Sequence, residues 1–308
     1  MNKSIKLFLI SSVCLVFGAV FLTFASGHGM FGLFSQNEKA IDFSKEIYLG
    51  DERVKNVKNY TLRKDKAAAV SLTIAFDNNT LRWGVARKTN NQTPDADPGT
   101  PELLAKYGSR YLGDTSRKIL YLTFDEGYEN GYTSKILDTL KQNKVKSIFF
   151  VTGPYLKDHE DLVTRMVEEG HEVGNHTIHH PSLPSKNDTE LKDEISQLND
   201  TFKARYGKNM RFLRPPMGEY SERSLFITDN MGYCNLFWSF AYDDWHRDVI
   251  RGPEYASDMV DKNLHNGAVL LLHAVSKDNA DALDAIIKNC RAKGYEFGNP
   301  DELLKGRK

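Results

Sequence analysis

The chain has 308 residues, enough for one large domain or two ordinary ones. Hydrophobic residues make up 40% of it and aromatic residues 11%, which argues against a disordered chain because this content can fill a core. Lysine plus arginine and aspartate plus glutamate both number 41, so the formal net charge is zero. General nucleic-acid binders usually carry a basic excess, and we expect no nucleic-acid partner.

Residues 1–26 differ in kind from the rest of the chain. Lys3 and Lys6 precede an uncharged apolar run from Leu7 to Ala25. This run is long for the core of a signal peptide and just long enough to span a bilayer. A cleaved signal peptide and a retained membrane anchor both stay open, whereas the basic start disfavours a buried soluble helix. Either interpretation predicts that the rest of the protein lies outside the cytoplasm.

Residues 27–80 are predicted to form a linker and an N-terminal extension, because they are charged and poorly patterned. A short apolar element is predicted near the end of this segment, over 67–76. A turn-rich loop follows over 90–101, where Pro, Gly, Asn and Asp are concentrated.

From Arg117 onward, strand-like and helix-like patterns alternate about seven times. The predicted strands cover 118–124, 145–153, 171–176, 210–216, 233–242, 267–275 and 295–297. The predicted helices cover 132–144, 159–170, 189–207 (capped by Thr189), 221–232, 253–265 and 278–294. This alternation indicates an α/β fold with a mostly parallel sheet, either doubly wound or closed into a barrel.

Polar side chains follow five of the predicted strands. In chain order they are Asp125 with Glu126, Asn175 with His176, Arg214, the segment 243–245, and His273. The carboxyl ends of parallel strands in a barrel share one face, and that face carries the chemistry of such enzymes. We therefore expect these side chains to form one site.

His176 and His180 are four residues apart, a spacing at which two imidazoles can reach one metal ion. Such a metal usually takes a carboxylate as third ligand, while a second carboxylate can accept a proton from bound water. Neighbouring side chains of a regular strand point to opposite faces. If the backbone turned at Gly127, however, Asp125 and Glu126 could both face one cleft. Taken alone, each motif is also compatible with a purely structural role.

Three further residues have two interpretations each. His273 ends a buried apolar strand and is either a core residue or a general acid. Arg214 precedes two prolines and forms either a structural ion pair or a contact that orients a carboxylate. Trp245 belongs either to the core or to a wall on which a sugar stacks.

Five motifs in order, "TFDEG", "HTIHHP", "RPPMG", "DDW" and "LLLH", resemble the polysaccharide deacetylases of the NodB-homology type, carbohydrate esterase family 4. The resemblance covers Lys118 to Leu304. Within that family, "LRWGVARKTNNQTPDA" and "FWSFAYDDW" are similar to the de-N-acetylases that make muramic δ-lactam in spore cortex. Because this narrower resemblance begins at Leu81, residues 81–308 are predicted to be one catalytic domain.

The resemblance implies a distorted (β/α) barrel of about seven parallel strands. It implies metal-dependent hydrolysis of the N-acetyl group of a peptidoglycan amino sugar, N-acetylmuramic acid, leading to muramic δ-lactam. The expected partners are peptidoglycan glycan strands, and the membrane if the N-terminal segment is retained; we expect a monomer. The alternatives are an N-acetylglucosamine-directed enzyme of the vegetative wall and a catalytically weak glycan-binding protein. A glycosidase is disfavoured because its two carboxylates must lie roughly 5–9.5 Å apart across the sugar.

The resemblance also implies a role for each matched residue. Asp125 is the expected general base, Arg214 orients it, and His273 is the expected general acid. The expected ligands of a divalent metal ion, expected to be zinc, are Glu126, His176 and His180. The expected substrate contacts are Met217, Asp244 and Trp245.

Two positions depart from the family pattern. Glu126 stands where the family usually has an aspartate, which puts its role as a metal ligand in doubt. Ala241 stands where many members have an aspartate that supports the acid histidine. Asp243 or Asp244 could supply the missing carboxylate.

Overall fold

The computed structural model describes residues 76–306 in full, and before them only the backbone of six short strands. The chain divides into two compact units, residues 1–76 and residues 77–308. In the first unit the strands form three antiparallel pairs: Phe8–Leu9 with Leu22–Thr23, Ile47–Leu49 with Glu52–Val54, and Tyr60–Lys64 with Val70–Ile74. Strands this short show no clear alternation, so the sequence predicted only the element that contains the last of them.

The predicted signal peptide or membrane anchor, residues 1–26, lies outside the described residues except for two of these short strands. Most of the predicted extension over 27–80 lies outside them as well. Among the helices that the structure describes, none is both long and apolar enough to cross a bilayer. Both interpretations of the apolar segment stay predictions.

The second unit is built on one sheet of seven strands. They are β1 (Ile119–Glu126), β2 (Ile148–Val151), β3 (Glu172–Asn175), β4 (Phe212–Leu213), β5 (Cys234–Asn235), β6 (Ala268–His273) and β7 (Glu296–Phe297). Their order is β5-β4-β3-β2-β1-β6, with β7 beside the start of β1, and every pair is parallel. Two small antiparallel pairs lie outside this sheet: Leu81–Arg82 with Glu219–Tyr220, and Val85–Ala86 with Asp95–Ala96.

The sheet curls into a distorted barrel because the chain after β5 crosses to the opposite edge strand. The backbone N–H of Leu236 still donates to Leu213 at the end of β4, at 2.8 Å. Four residues later, Phe240 pairs in parallel with Leu270 of β6, and its N–H donates to the carbonyl of Val269. One segment thus connects the two edges of the sheet, and the predicted (β/α) barrel is confirmed.

Eight α-helices surround the sheet in the described part of the second unit. They are α1 (Thr100–Lys106), α2 (Thr133–Gln142), α3 (Gly153–Asp158), α4 (Glu160–Glu168), α5 (Asp188–Tyr206), α6 (Glu222–Asn230), α7 (Pro253–Lys262) and α8 (Lys277–Ala292). The six predicted helices are confirmed. The sequence missed α1 and α3, which are short and begin at prolines that are typical of turns as well as of helix starts.

Two local predictions are wrong. The strand predicted over 233–242 is regular only at Cys234–Asn235, because the chain beyond it changes neighbours and bends. Helix α5 is capped by Asn187 and not by Thr189. The Asn187 side chain accepts a hydrogen bond from the Glu190 N–H at 3.0 Å, and the Glu190 carboxylate accepts one from the Asn187 N–H at 3.1 Å.

The two faces of β1 belong to two different hydrophobic clusters. Ile119 and Tyr121 pack inside the barrel, against side chains from the other strands. Leu120, Leu122 and Phe124 pack outward, in the cluster that contains the apolar faces of the helices. Since side chains alternate along a strand, odd-numbered residues of β1 face the interior and even-numbered residues face the helix layer.

Gly174 in β3 makes room for the aromatic ring that lies beneath the site. A Cβ atom on this glycine would lie 2.5 Å from the ring of Phe150, which is fully buried. We expect Gly174→Ala to lower the free energy of unfolding by about 1–3 kcal/mol, because the ring must move in a packed interior. Urea denaturation followed by circular dichroism measures this change.

The matched control is Gly84→Ala. An added Cβ atom at this position would meet no atom within 4 Å. We expect this variant to unfold at the wild-type urea concentration. Equal denaturation midpoints for the two variants would contradict the packing described for Phe150.

Candidate active site

Four of the expected site residues meet at the carboxyl ends of the strands. Asp125 lies near the end of β1 and is aligned with His273, the last residue of β6. His176 directly follows β3, and Arg214 directly follows β4. All four side chains are buried or nearly so. The parallel register brings together residues that are far apart in the sequence.

Asp125 and Arg214 form a buried ion pair. Nη1 of Arg214 donates to Oδ1 of Asp125 at 2.7 Å, and Nε donates to the carbonyl of Leu236 at 3.0 Å. The guanidinium carbon lies over the ring of Phe150, 4.1 Å from the ring centroid. Arg214 has no solvent exposure, so these contacts hold its side chain in one conformation. The expected role of Arg214 in orienting Asp125 is consistent with this arrangement.

The surroundings of Asp125 keep it ionised. Burial alone would raise the pKa of this carboxyl, but its neighbours, the charged Arg214 first among them, outweigh burial and hold the pKa below its usual value. Since Oδ1 is bonded to Arg214, Oδ2 is left to face the cleft, 3.6 Å from Nε2 of His176. An ionised carboxylate with one oxygen directed at the cleft can accept a proton.

A strained loop after β3 brings the two histidines together. Thr177 and His180 both have positive φ angles, 66° and 58°, which are uncommon for residues other than glycine. The N–H of His180 donates to Oγ1 of Thr177 at 3.0 Å, and the N–H of Thr177 donates to the buried side chain of Asn175 at 2.8 Å. His179 points outward and pairs with Glu194. The strain is stored where His176 and His180 converge.

The histidine pair fits a divalent metal ion. In a tetrahedral zinc site with Zn–N bonds of about 2.0–2.1 Å, two ligand nitrogens lie roughly 3.3 Å apart. The Nε2 atoms of His176 and His180 are 3.1 Å apart. Nδ1 of His176 donates to the carbonyl of Arg214 at 2.8 Å, which leaves Nε2 with its lone pair. Burial lowers the pKa of His176 to about 4, so the ring is neutral at physiological pH.

A metal held by two histidines needs a further protein ligand. Within the part of the chain that the structure describes, no group of three or more His, Cys, Asp or Glu side chains is arranged as a complete metal site. Oδ2 of Asp125 is a carboxylate oxygen that lies 3.6 Å from Nε2 of His176. Two histidines and one nearby carboxylate are a donor set that suits zinc.

The structure does not bring Glu126 to the histidines. This residue belongs to the outer face of β1 and is fully buried. Its Oε2 atom accepts a hydrogen bond from Oγ1 of Thr133 in α2 at 3.4 Å, while Oε1 has no hydrogen-bond partner among the described residues. Burial, together with the charges of Glu129 and Asp125, raises the pKa of Glu126 well above its usual value. The protonated, neutral form of this carboxyl group is therefore more favoured than in an exposed glutamate.

The expected ligand set of Glu126, His176 and His180 is thus not the arrangement that the structure shows. The expectation required the backbone to turn at Gly127 so that both acids faced the cleft. Instead β1 stays regular through Glu126, which is aligned with Val151 of β2. A regular strand directs Asp125 and its neighbour to opposite faces.

Asp244 holds His273 in place and raises the pKa of its ring. Oδ1 of Asp244 accepts a hydrogen bond from Nδ1 of His273 at 2.7 Å, and Oδ2 accepts one from its backbone N–H at 2.9 Å. Burial would lower the pKa of His273, but Asp244, followed by Asp125, raises it above the usual value. The ring therefore keeps its proton to a higher pH than an ordinary histidine does, as suits a general acid.

Asp244 lies beneath His273 and not in the cleft, where it was expected to contact substrate. It is buried, and its Oδ2 atom also accepts a hydrogen bond from Nδ2 of Asn279 at 2.5 Å. Asn279 in turn accepts a hydrogen bond from the hydroxyl of Tyr242. Asp244 thus supplies the supporting carboxylate that Ala241 lacks, while Asp243 pairs with Arg251 at the surface.

Exposed apolar side chains lie around the site. Trp245 is 48% exposed, and its ring centroid is 5.8 Å from that of His273. Met217 is 54% exposed and has a positive φ angle of 59°, which turns it out of the segment after Arg214. Both residues are accessible to a substrate, as the sequence analysis expected. Tyr128, 41% exposed, is a further accessible aromatic residue that the sequence analysis missed.

Sequence reasoning also missed Asn279 and Tyr242, which hold Asp244 in place. Neither residue belongs to a motif. Their only signal is that Asn279 lies in the first turn of a helix directly after the strand that ends in His273. Such partners become visible only when β6 and α8 are placed in space.

The site therefore brings together a carboxyl whose pKa is lowered, an imidazole whose pKa is raised, and two imidazoles of lowered pKa that can bind a metal. A base and an acid with opposite protonation states can activate a water molecule and protonate a leaving group. Since Asp125 and His273 lie on adjacent strands in register, both can act on one bound group.

Comparisons with known proteins point to the same chemistry. Residues 112–236 match the family described as polysaccharide deacetylase. The peptidoglycan-N-acetylmuramic acid deacetylase PdaA of Bacillus subtilis is 45% identical over 231 residues, which are 75% of this chain and 88% of that protein. A peptidoglycan-N-acetylglucosamine deacetylase of Bacillus cereus is 33% identical over 196 residues, 62% of this chain and 70% of that protein.

The fold agrees with these sequence matches. The solved structure of Bacillus subtilis PdaA, described as a family 4 carbohydrate esterase, has a TM-score of 0.72 and 45% identity to this chain. The match covers 74% of this chain and 98% of that structure. The chain belongs to the polysaccharide deacetylase family, as a member of carbohydrate esterase family 4.

Proposed function

We propose that this protein hydrolyses the N-acetyl group of N-acetylmuramic acid in peptidoglycan, releasing acetate and leaving a free amino sugar. The observation that carries the proposal is the buried pair of Asp125 and Arg214, which directs one ionised carboxylate oxygen toward His176. The 45% identical relative is named for this substrate. The product amine can then close onto the lactyl carboxyl of the same sugar, which would lead to the muramic δ-lactam of spore cortex.

In the proposed reaction, Asp125 acts as the general base. Its Oδ2 atom takes a proton from the water that attacks the acetamide carbonyl carbon. Arg214 holds the other oxygen at 2.7 Å, so the carboxylate cannot rotate away from the cleft. The guanidinium also keeps the carboxylate ionised until the proton arrives.

His273 acts as the general acid. Its ring, which keeps a proton because of Asp244, donates that proton to the nitrogen as the C–N bond breaks. The amine leaves in neutral form together with acetic acid, which loses its proton to the solvent and becomes acetate. The proton that Asp125 took from water passes to the solvent, and His273 regains one from it. Trp245 borders the acid and offers a ring on which a sugar can stack.

A divalent metal, which we propose to be zinc, would be held by His176 and His180 beside Asp125. When bound, it would lower the pKa of a coordinated water and polarise the acetamide carbonyl. The backbone strain at Thr177 and His180 keeps the two Nε2 atoms converged for this purpose. Glu126 lies outside the cleft, where it fills space between β1 and α2 and contacts Thr133.

We further propose that the protein acts outside the cytoplasm, at the cell wall or the forespore cortex. Peptidoglycan lies outside the membrane, and the basic start and apolar run of residues 1–26 suit export, either as a cleaved signal or as an anchor. The glycan strands of peptidoglycan would be the partner of the cleft.

The two adjacent acids allow a matched test of the base. Asp125→Asn should lower acetate release from peptidoglycan glycan strands by about 10²–10⁴-fold, because the amide cannot accept a proton from water. The amide oxygen can still accept the hydrogen bond from Arg214, and circular dichroism checks that the variant is folded. Glu126→Gln should keep acetate release and zinc affinity close to those of the wild type, because this side chain lies against Thr133 of α2 and not in the cleft, and an amide has nearly the shape of the protonated carboxyl that burial favours.

Two results would contradict this assignment. Near-normal acetate release by a folded Asp125→Asn variant would exclude Asp125 as the base. A loss of zinc affinity in Glu126→Gln, measured by isothermal titration calorimetry, would return Glu126 to the metal site.

The pairing of His273 with Asp244 predicts a change in pH dependence. Activity requires protonated His273, so it falls as the pH rises through the pKa of this residue. Asp244→Asn removes the main cause that raises this pKa, while burial still lowers it. The basic limb of the profile of kcat/KM against pH should therefore move to lower pH. Asp243→Asn is the control, because Asp243 pairs with Arg251; an equal shift in both variants would refute the assignment.

A further inference from the structure

Arg247 is an exposed cation next to the site, and no carboxylate among the described residues neutralises it. It lies in the loop after Trp245, and its guanidinium carbon is 4.8 Å from the centroid of the Tyr128 ring. Within the described part of the chain, no acidic side chain forms an ion pair with it. Arg251, in the same loop, is different, because both of its terminal nitrogens contact the carboxylate of Asp243.

A series of contacts connects Arg247 to the catalytic histidine. The hydroxyl of Tyr128 donates to the backbone carbonyl of Trp245 at 3.4 Å. The ring of Trp245 lies 5.8 Å from that of His273. Tyr128 itself follows Asp125 by only three residues. Arg247 therefore stands at the rim of the cleft, on an aromatic surface formed by the loop that follows β1 and the loop that contains Asp244, the partner of His273.

An aromatic ring beneath a guanidinium restricts its orientation while its N–H groups stay available. Such a planar group matches a carboxylate with two parallel hydrogen bonds, which lysine cannot make. The proposed substrate carries carboxylates, since the lactyl group of N-acetylmuramic acid ends in one. N-acetylglucosamine has none, so a cation at this rim would separate the two sugars.

We infer that Arg247, positioned by Tyr128, binds a carboxylate of the glycan strand and thereby selects strands that contain muramic acid. This inference rests on the proposed function and deepens it. The carboxylate could belong to the lactyl group or to a stem peptide, and both offer the same planar anion to Arg247.

The test measures binding of three preparations to wild type and to Arg247→Gln by isothermal titration calorimetry. The first is peptide-free glycan strands, which carry lactyl carboxylates only. The second is the same strands with these carboxylates converted to methylamides. The third is strands that keep their stem peptides. The control is Arg291→Gln: this guanidinium lies 5.8 Å over the Phe297 ring, at the end of α8 that is remote from His273.

We expect Arg247→Gln to weaken binding of peptide-free strands about fivefold, the upper range for an exposed ion pair. It should leave binding of the methylamide strands unchanged, and Arg291→Gln should change neither. An effect confined to peptide-bearing strands would assign the carboxylate to the stem peptide. Equal weakening for charged and methylamide strands, or none for any preparation, would overturn the inference.

Acetate release from the same strands separates this inference from the proposed function. A wild-type protein that binds charged strands through Arg247 but releases no acetate would contradict the function alone. A protein that releases acetate, and whose binding does not depend on Arg247, would contradict the inference alone.

Discussion

The buried ion pair of Asp125 and Arg214 is the interaction on which the site depends. Arg214 follows β4 and Asp125 lies near the end of β1, so the pair reaches across the barrel over the ring of Phe150. Two charges removed from water are costly unless they are paired and hydrogen-bonded, and removal of one partner typically costs about 3–5 kcal/mol. The arrangement therefore fixes the base in one orientation. The backbone carbonyl of Arg214 also accepts the hydrogen bond from Nδ1 of His176 and thereby sets the tautomer of this imidazole. One residue thus positions both the proposed base and a proposed metal ligand.

The strand that carries Asp125 also explains why two adjacent acids behave differently. Asp125 faces the interior, where a permanent cation holds it ionised. Glu126 faces the helix layer, where burial and two neighbouring acids raise the pKa of its carboxyl well above the usual value. One residue of separation on a regular strand is enough to favour the charged form of one carboxyl and the neutral form of the other.

Much of this arrangement could be predicted from the sequence. Alternating patterns predicted a mostly parallel sheet, the family resemblance implied that it forms a barrel, and the strand ends identified Asp125, His176, Arg214 and His273. The direction of Glu126 could not be predicted, because it depends on whether β1 stays regular to its last residue, which is decided by pairing with Val151. The carboxylate that supports His273 was predicted only as Asp243 or Asp244, and the structure shows that Asp244 makes the contact.

The bend after β5 shows the same limit at the level of the fold. The segment around Phe240 reads as one strand, because its apolar residues are continuous, yet it serves two edges of the sheet in turn. Local pattern records which residues are buried but not which neighbours bury them. The contact of Asn279 with Asp244 and that of the Tyr128 ring with Arg247 are of this kind, because the sequence pattern does not show which residues become neighbours.

Mass spectrometry of glycan fragments offers the most direct test of the central claim, that Asp125 and His273 remove the N-acetyl group of muramic acid. Peptide-free peptidoglycan strands are incubated with the purified protein and a divalent metal, then digested and sequenced sugar by sugar. We predict that the treated fragments are lighter than untreated ones by one acetyl group at each modified muramic acid position, with or without lactam closure. Fragments that keep every acetyl group, or that lose acetyl groups only from N-acetylglucosamine, would contradict it.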